Sequence, residues 1–510
     1  MARHDTTKEQ AAQLKRARIG LAWALLPKIP KLLGVVFRRL LGLSPRAQYM
    51  DLKTDLTLTV MKLAMGDTKP QPVGKTQAFT LLDPGVQGRI WISHAVAEVP
   101  PERGLRDALE RVILSLCDGG PDPDPESVAA QSASLMMPDM VPVEAEWTGY
   151  RAGVPRDEPL PDVPEAQKYE AMMKECRNAT TVLYFHGGAY YLCDPCTHRQ
   201  LTKRMAKAMG GRVYSVRYRL APQNPFPAAL LDALVSYFTL LYPPPGSIHE
   251  PVSARDIVFG GDSAGGNLAL ALTQTLLQLR RQNIKPTWFG ARRAVPLPAG
   301  ITLLSPWADI TRSMPSWTTN QVWDYLPRPE REETLVRPAD EVWPASPARQ
   351  HIFVADALRL HPLVSVHLNN NNLNNRGSST ISWAGAPPTW LAWGWECLAD
   401  EDRYIAARLR ADGVRVVLEE YEAMPHVFAA VVPRLPEAER CVQGWARFVA
   451  ASRKDPGGIT DRYTLIRART LEEEEGDLDN LTTYTPEDVL ELARSKVGRM
   501  APLPAAAVAL

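Results

Sequence analysis

The stretch Gly261-Asp262-Ser263-Ala264-Gly265 constrains this chain more than any other. It reads G-x-S-x-G, behind the apolar run Asp256-Ile257-Val258-Phe259-Gly260 and ahead of Asn267-Leu268-Ala269-Leu270-Ala271-Leu272. That order predicts a strand, a sharp turn and a helix. The flanking glycines let the turn take a strained backbone that lifts the serine hydroxyl clear of the sheet. A helix starting directly behind it aims free N–H groups and a positive dipole end at a developing oxyanion. Ser263 is therefore a candidate nucleophile, with Gly261, Asp262 and Gly265 shaping the turn and Ala264 supplying an N–H. Taken alone, the same pattern also describes a glycine-rich turn with a solvated serine.

A second piece lies upstream. Thr181-Val182-Leu183-Tyr184-Phe185 reads as a strand and ends in His186-Gly187-Gly188-Ala189-Tyr190. A His-Gly-Gly turn at a strand end suits an acyl-transfer site, because its backbone N–H groups can hold the oxyanion. Each such donor contributes on the order of 3 kcal/mol to the transition state. The usual third glycine is Ala189 here; its N–H survives, while its Cβ restricts the backbone. The expected donors are Gly188, Ala189 and Ala264, with Gly187 as their flexible neighbour.

A nucleophile needs a base, and the base needs an orienting acid. His426 follows the strand-like run Val414 to Leu418. Acid candidates, Glu396 and Asp400 among them, follow the run Thr389 to Trp393. All four pieces thus fall at the carboxyl ends of expected strands, where open α/β sheets place their sites. The order serine, acid, histidine is that of α/β-hydrolases.

Six motifs in order then carry a resemblance. His186-Gly187-Gly188, Tyr218-Arg219-Leu220-Ala221-Pro222, Phe226-Pro227-Ala228-Ala229, Gly261 to Gly266, Ser305-Pro306-Trp307 and Met424-Pro425-His426-Val427-Phe428 together resemble the hormone-sensitive-lipase-like esterases. The resemblance spans about Val141 to Ala450. His361 to Ser365, Gly385 to Pro388 and Gly394 to Glu401 look most like the fungal branch that includes steryl acetyl hydrolases. It implies an α/β-hydrolase fold, a mostly parallel sheet with helices on both faces, and an N-terminal helical cap. It also implies Ser263 as nucleophile, His426 as base and Glu396 as orienting acid, with Asp400 as the fallback. Two positions depart from the family pattern: Gln223 stands where relatives usually carry Glu, and Ala189 replaces a glycine.

The implied reaction is serine hydrolysis of a small apolar ester, a steryl or other acetyl ester among the candidates, and needs no metal or organic cofactor. Two readings compete: a non-catalytic receptor on the same fold, as in the plant gibberellin receptors that have lost the histidine, and an amide or lactone hydrolase using the same groups. The intact His426 motif favours an enzyme.

Lys plus Arg number 58 and Asp plus Glu 57, a balance that argues against nucleic acid as a partner. The six cysteines are too sparse for a disulfide framework, and Cys193-Asp194-Pro195-Cys196 has no second pair to complete a zinc site. The expected organisation is a cap with its linker over 1–140, a catalytic domain over 141–452 with an insertion near 314–352, and a C-terminal extension over 453–510. The linker falls on Gly119 to Pro125 and a mobile loop on Asn369 to Asn375. Residues 18–43 are apolar but broken by Pro and basic residues, short of the roughly 20 residues that a membrane span needs. From Lys31 to Leu43, helical spacing gathers Lys31, Arg38 and Arg39 on one side and Leu33, Val36, Phe37 and Leu40 on another. Such a helix suits peripheral membrane contact, or packing as a cap over the site. The compartment expected is intracellular, cytoplasmic or at the endoplasmic-reticulum membrane, and the sequence leaves the oligomeric state open.

Overall fold

A computed structural model describes residues 20, 23, 25–66, 70–117, 125–368 and 381–498, apart from the side chains of 332–334. Ten strands make its main sheet: β1 Ile90–Ala97, β2 Val143–Tyr150, β3 Thr181–Phe185, β4 Arg212–Val216, β5 Ile257–Asp262, β6 Gly300–Leu304, β7 Thr389–Gly394, β8 Val416–Tyr421, β9 Arg462–Ile466 and β10 Glu473–Glu475. Their spatial order is β1-β2-β4-β3-β5-β6-β7-β8-β9-β10. The pairs β1–β2, β2–β4 and β9–β10 are antiparallel, and the rest are parallel.

The central strands are apolar on both faces because helices cover both. Along β3, Val182 and Tyr184 enter one core while Leu183 and Phe185 enter the other. Along β7, Trp390 and Ala392 alternate in the same way with Leu391 and Trp393. Nine helices carry labels here: α1 Ile29–Leu40, α2 Leu52–Gly66, α3 Val73–Thr80, α4 Gly104–Leu116, α5 Pro195–Met209, α6 Ala228–Leu241, α7 Ala264–Arg281, α8 Ala399–Ala411 and α9 Pro436–Lys454. Side chains of α5 and α9 fill one core, and those of α4, α6, α7 and α8 fill the other. The tryptophans of β7 and the loop after it divide. Trp390 stacks on Trp445 and Trp393 on Tyr463, both fully buried in the core, whereas half-buried Trp395 meets Tyr49 and Trp323.

The sheet runs past both boundaries expected from sequence. β1 lies before residue 141 yet pairs along its whole length with β2, and β9 and β10 extend the other edge after residue 452. The acidic run Glu473–Glu475 forms the exposed edge strand β10. Glu473 there pairs with Arg440 and Glu474 with Arg467. A charged edge of this kind discourages strand addition by another chain.

The Cys193–Cys196 segment proves to be a helix start. Asp194 caps α5 by accepting from the Cys196 N–H, Thr197 completes a capping box, and Pro195 takes the first turn. Both thiols are free, and burial pushes Cys193 up to about 12, far from the range of a reactive cysteine. Of the linker expected from Gly119 to Pro125, residues 119–124 lie outside the described residues, as do the asparagine tract at 369–375 and the last residues.

Candidate active site

The strand order sets out the site. β3, β5, β6, β7 and β8 lie side by side and parallel, so the loops after them open on one rim. Those loops carry His186–Ala189, Ser263, Ser305, Glu396 and His426 in that spatial order.

Ser263 sits between β5 and α7 with φ 51° and ψ −120°. Such a backbone costs roughly 1–3 kcal/mol and persists only where surroundings hold it. Here the Ser263 N–H donates to the Leu304 carbonyl at 3.1 Å, and its carbonyl accepts from Trp307 N–H at 2.9 Å. The two glycines are steric necessities. A Cβ on Gly265 would lie 1.9 Å from the Phe185 oxygen, and one on Gly261 would lie 2.3 Å from the Gly265 oxygen.

Across the elbow, β3 ends in the His186–Ala189 turn. The Gly187 N–H donates to Asp262 Oδ1 at 3.1 Å, so this group is committed to holding the loop. A Cβ on Gly187 would reach within 3.2 Å of the Ser263 Cβ, which brings the turn directly against the elbow. Gly188 has φ +112° and Ala189 has φ 51°, so Ala189 keeps the left-handed backbone that its missing glycine would have eased. The N–H groups of Gly188, Ala189 and Ala264 meet no acceptor among the described residues. His186 is stacked on Tyr218 at 4.3 Å, and the Tyr218 hydroxyl donates to the His186 carbonyl at 2.6 Å. Burial, reinforced by His198, pulls His186 down to about 3, so it supports the loop as a neutral ring.

At the other end of the site, His426 Nδ1 lies 2.7 Å from Glu396 Oε1, both side chains buried. Burial works against a charged imidazole, yet the adjacent Glu396 carboxylate overcomes it and holds His426 above its ordinary value, with Asp324 adding to the effect. Glu396 Oε2 accepts from the Ser305 hydroxyl at 2.6 Å and the Gly394 N–H at 3.1 Å. Asp400 lies apart from this pair: its carboxylate accepts from the Ser316 N–H at 2.8 Å. Of the two acid candidates, Glu396 is the one that meets His426. Neither Ser263 Oγ nor His426 Nε2 is hydrogen-bonded to a described residue, so the link between them is open in this structure. Such links are commonly long without substrate and tighten on binding.

Two residues of the site carried no signal of their role in the sequence. Ser305 appeared only within a motif, yet its Oγ also accepts from the Val427 N–H at 3.1 Å and so ties the acid to the histidine loop. Asp324, inside the expected insertion, is fully buried. It accepts from the Cys397 N–H at 2.8 Å and the His426 N–H at 3.4 Å, pinning both loops at once. Helix α2 supports this segment through Lys62, which donates to the carbonyls of Gln321 and Asp324. Helix α3 adds Gln77, whose amide bonds the carbonyls of Tyr191 and Ala221 and accepts from Gln223 at 2.6 Å. The departure at Gln223 thus finds a matching amide on α3.

Beside the donor loop lies a cavity of about 130 Å³, lined among others by Ala189, Trp307, Ile310 and Trp343.

The sequence pattern of the alpha/beta hydrolase fold matches residues 182–430. An acetyl-hydrolase of Streptomyces hygroscopicus is 32% identical over 270 residues, 52% of this chain and 74% of that protein. An esterase of Acinetobacter venetianus is 28% identical over 273 residues, 53% of this chain and 74% of that protein. A crystal structure of a hormone-sensitive lipase from a metagenome library shows 27% identity over 61% of this chain and 82% of its own, with a TM-score of 0.43. The chain belongs to the alpha/beta hydrolase fold family and is a carboxylic ester hydrolase.

Proposed function

We propose that the protein cleaves apolar esters with a short acyl group through Ser263, His426 and Glu396. The Ser263 hydroxyl attacks the ester carbonyl while His426 Nε2 takes its proton. The oxyanion that forms is held by the N–H groups of Gly188, Ala189 and Ala264. His426 then gives its proton to the leaving alkoxide, and an acyl-serine remains. Water, deprotonated by His426, attacks this ester and releases the acid. Glu396 fixes the imidazole tautomer and stabilises its charged form throughout.

The observation that carries this reading is the 2.7 Å Glu396–His426 bond, on a rim shared with a strained serine elbow and uncommitted loop N–H groups. A short acyl group is supported by the name of the Streptomyces relative, an acetyl-hydrolase. The alcohol is proposed to be apolar, a sterol being one candidate.

The test is hydrolysis of p-nitrophenyl esters of increasing acyl length by the protein and by Ser263→Ala. Turnover should favour the acetyl and butyryl esters and vanish in the variant without loss of folding. Full activity in Ser263→Ala would overturn the assignment, and a preference for long acyl chains would overturn the short-acyl reading.

A further inference from the structure

The large apolar residues exposed on this protein are not evenly spread. Trp23, Leu26, Ile29, Leu33, Phe37, Leu40, Leu41 and Leu43 all stand exposed within one segment, whereas those elsewhere among the described residues are scattered. In α1 and its lead-in, the spacing 26, 29, 33, 37, 40 places these side chains on one line at 3.6 residues per turn. Leu33 is 62% exposed, Phe37 63% and Leu40 80%. The opposite line carries Val35, the buried residue of the helix. The helix thus turns its smaller apolar contact inward and its larger one outward. A contiguous patch of this kind on a folded protein marks an interaction surface.

Charge identifies the partner. Residues 10–50 contain no Asp or Glu, while Lys28, Lys31, Arg38 and Arg39 lie within or beside α1. Lys31 and Arg38, seven residues apart and both exposed, share a line next to Val35 and across the helix from the apolar stripe. A second copy of this chain would bring the same positive charge and repel it. An anionic lipid surface matches both parts, with acyl chains for the stripe and headgroup charge for the basic segment. Among the described residues no helix is long and apolar enough to cross a membrane, so the helix would lie on the surface.

We infer that α1 docks the protein on an anionic lipid bilayer, its stripe from Leu26 to Leu40 entering the headgroup–acyl boundary. The docked helix connects to the active site. Arg39 pairs with Asp55 of α2, and Arg46 donates to the Val322 carbonyl beside Asp324. Tyr49 packs edge-on against Trp323 and Trp395, the residue before Glu396. The inference stands on the surface alone and survives if the triad assignment fails.

The experiment is flotation of the full chain with phosphatidylcholine vesicles, with and without phosphatidylglycerol, for the protein and for the double variant Leu33→Glu/Phe37→Glu. The protein should float with the anionic vesicles and lose binding as salt rises. The double variant should partition at least about tenfold less, because two charges replace two buried apolar groups. Its hydrolysis of a water-soluble acetyl ester should stay within about twofold, which shows that it is folded. Absent flotation of the unaltered protein, or equal flotation of the variant, would overturn the inference. Equal binding to neutral vesicles would overturn the anionic partner. A dimer that the double variant dissociates, without vesicle binding, would replace lipid with a second copy.

Discussion

Two histidine–carboxylate pairs flank Ser263, and they are built from the same parts. Glu396 accepts from an imidazole (His426), a hydroxyl (Ser305) and a backbone N–H (Gly394). Asp262 meets an imidazole (His198, at 3.4 Å), a hydroxyl (Tyr184) and a backbone N–H (Gly187). In both pairs burial opposes the charged imidazole, and the carboxylate still holds the histidine above its ordinary value. What differs is the second ring nitrogen. His198 Nδ1 is engaged by Thr197 at 2.8 Å, whereas His426 Nε2 has no partner among the described residues. One pair has a nitrogen left to move a proton; the other is closed and can only hold the donor loop against the elbow. Chemical likeness therefore does not assign a role here, and unspent hydrogen-bonding capacity does.

The comparison can be broken from its strongest side first. His426→Ala should lower kcat about 10⁴-fold or more on p-nitrophenyl acetate, because the serine loses its base. Glu396→Gln should cost about 10³ to 10⁴, since an amide cannot stabilise the imidazolium and favours the wrong tautomer. Asp262→Asn should cost less, about 10 to 10², through a displaced donor loop. If Asp262→Asn proves as damaging as Glu396→Gln, the division of roles between the pairs fails.

Asp324→Asn sharpens the account further. Its rate loss should be on the order of tenfold, as the amide oxygen keeps one of the two backbone donors while the –NH2 in place of the other oxygen cannot accept. The pH profile gives the finer signal. Activity needs neutral His426, and a raised value means that the proton is released only at higher pH. The acid limb of kcat/KM should therefore have its midpoint above the ordinary 6.5. Removing the Asp324 charge should move that limb to lower pH, while a merely structural loss would leave its position unchanged.

Much of this was legible because its signals are local. The glycines around Ser263 are demanded by contacts of 1.9–2.3 Å that no other residue could meet, so the elbow is written in five consecutive letters. Strands β3 and β7 are buried on both faces and read as continuous apolar runs. The edges of the sheet were not legible for the same physical reason. β1 alternates towards solvent near its end, and β10 is three glutamates, so neither presents an apolar run. Asp324 reaches its partners across 73 and 102 residues of chain, and nothing near it in the sequence signals an acceptor for two distant N–H groups. The outward face of α1 was legible as amphipathic, but its spacing alone could not say which side faces the protein.

The central claim is that Ser263 becomes acylated. Turnover of p-nitrophenyl acetate, quenched in acid during the initial burst and digested, would locate the acetyl group by peptide mass spectrometry. The account predicts one acetyl on the peptide containing Ser263, enriched in Glu396→Gln if that change slows deacylation more than acylation. Turnover with Ser263 unmodified, and with the acetyl group trapped on another side chain, would contradict it.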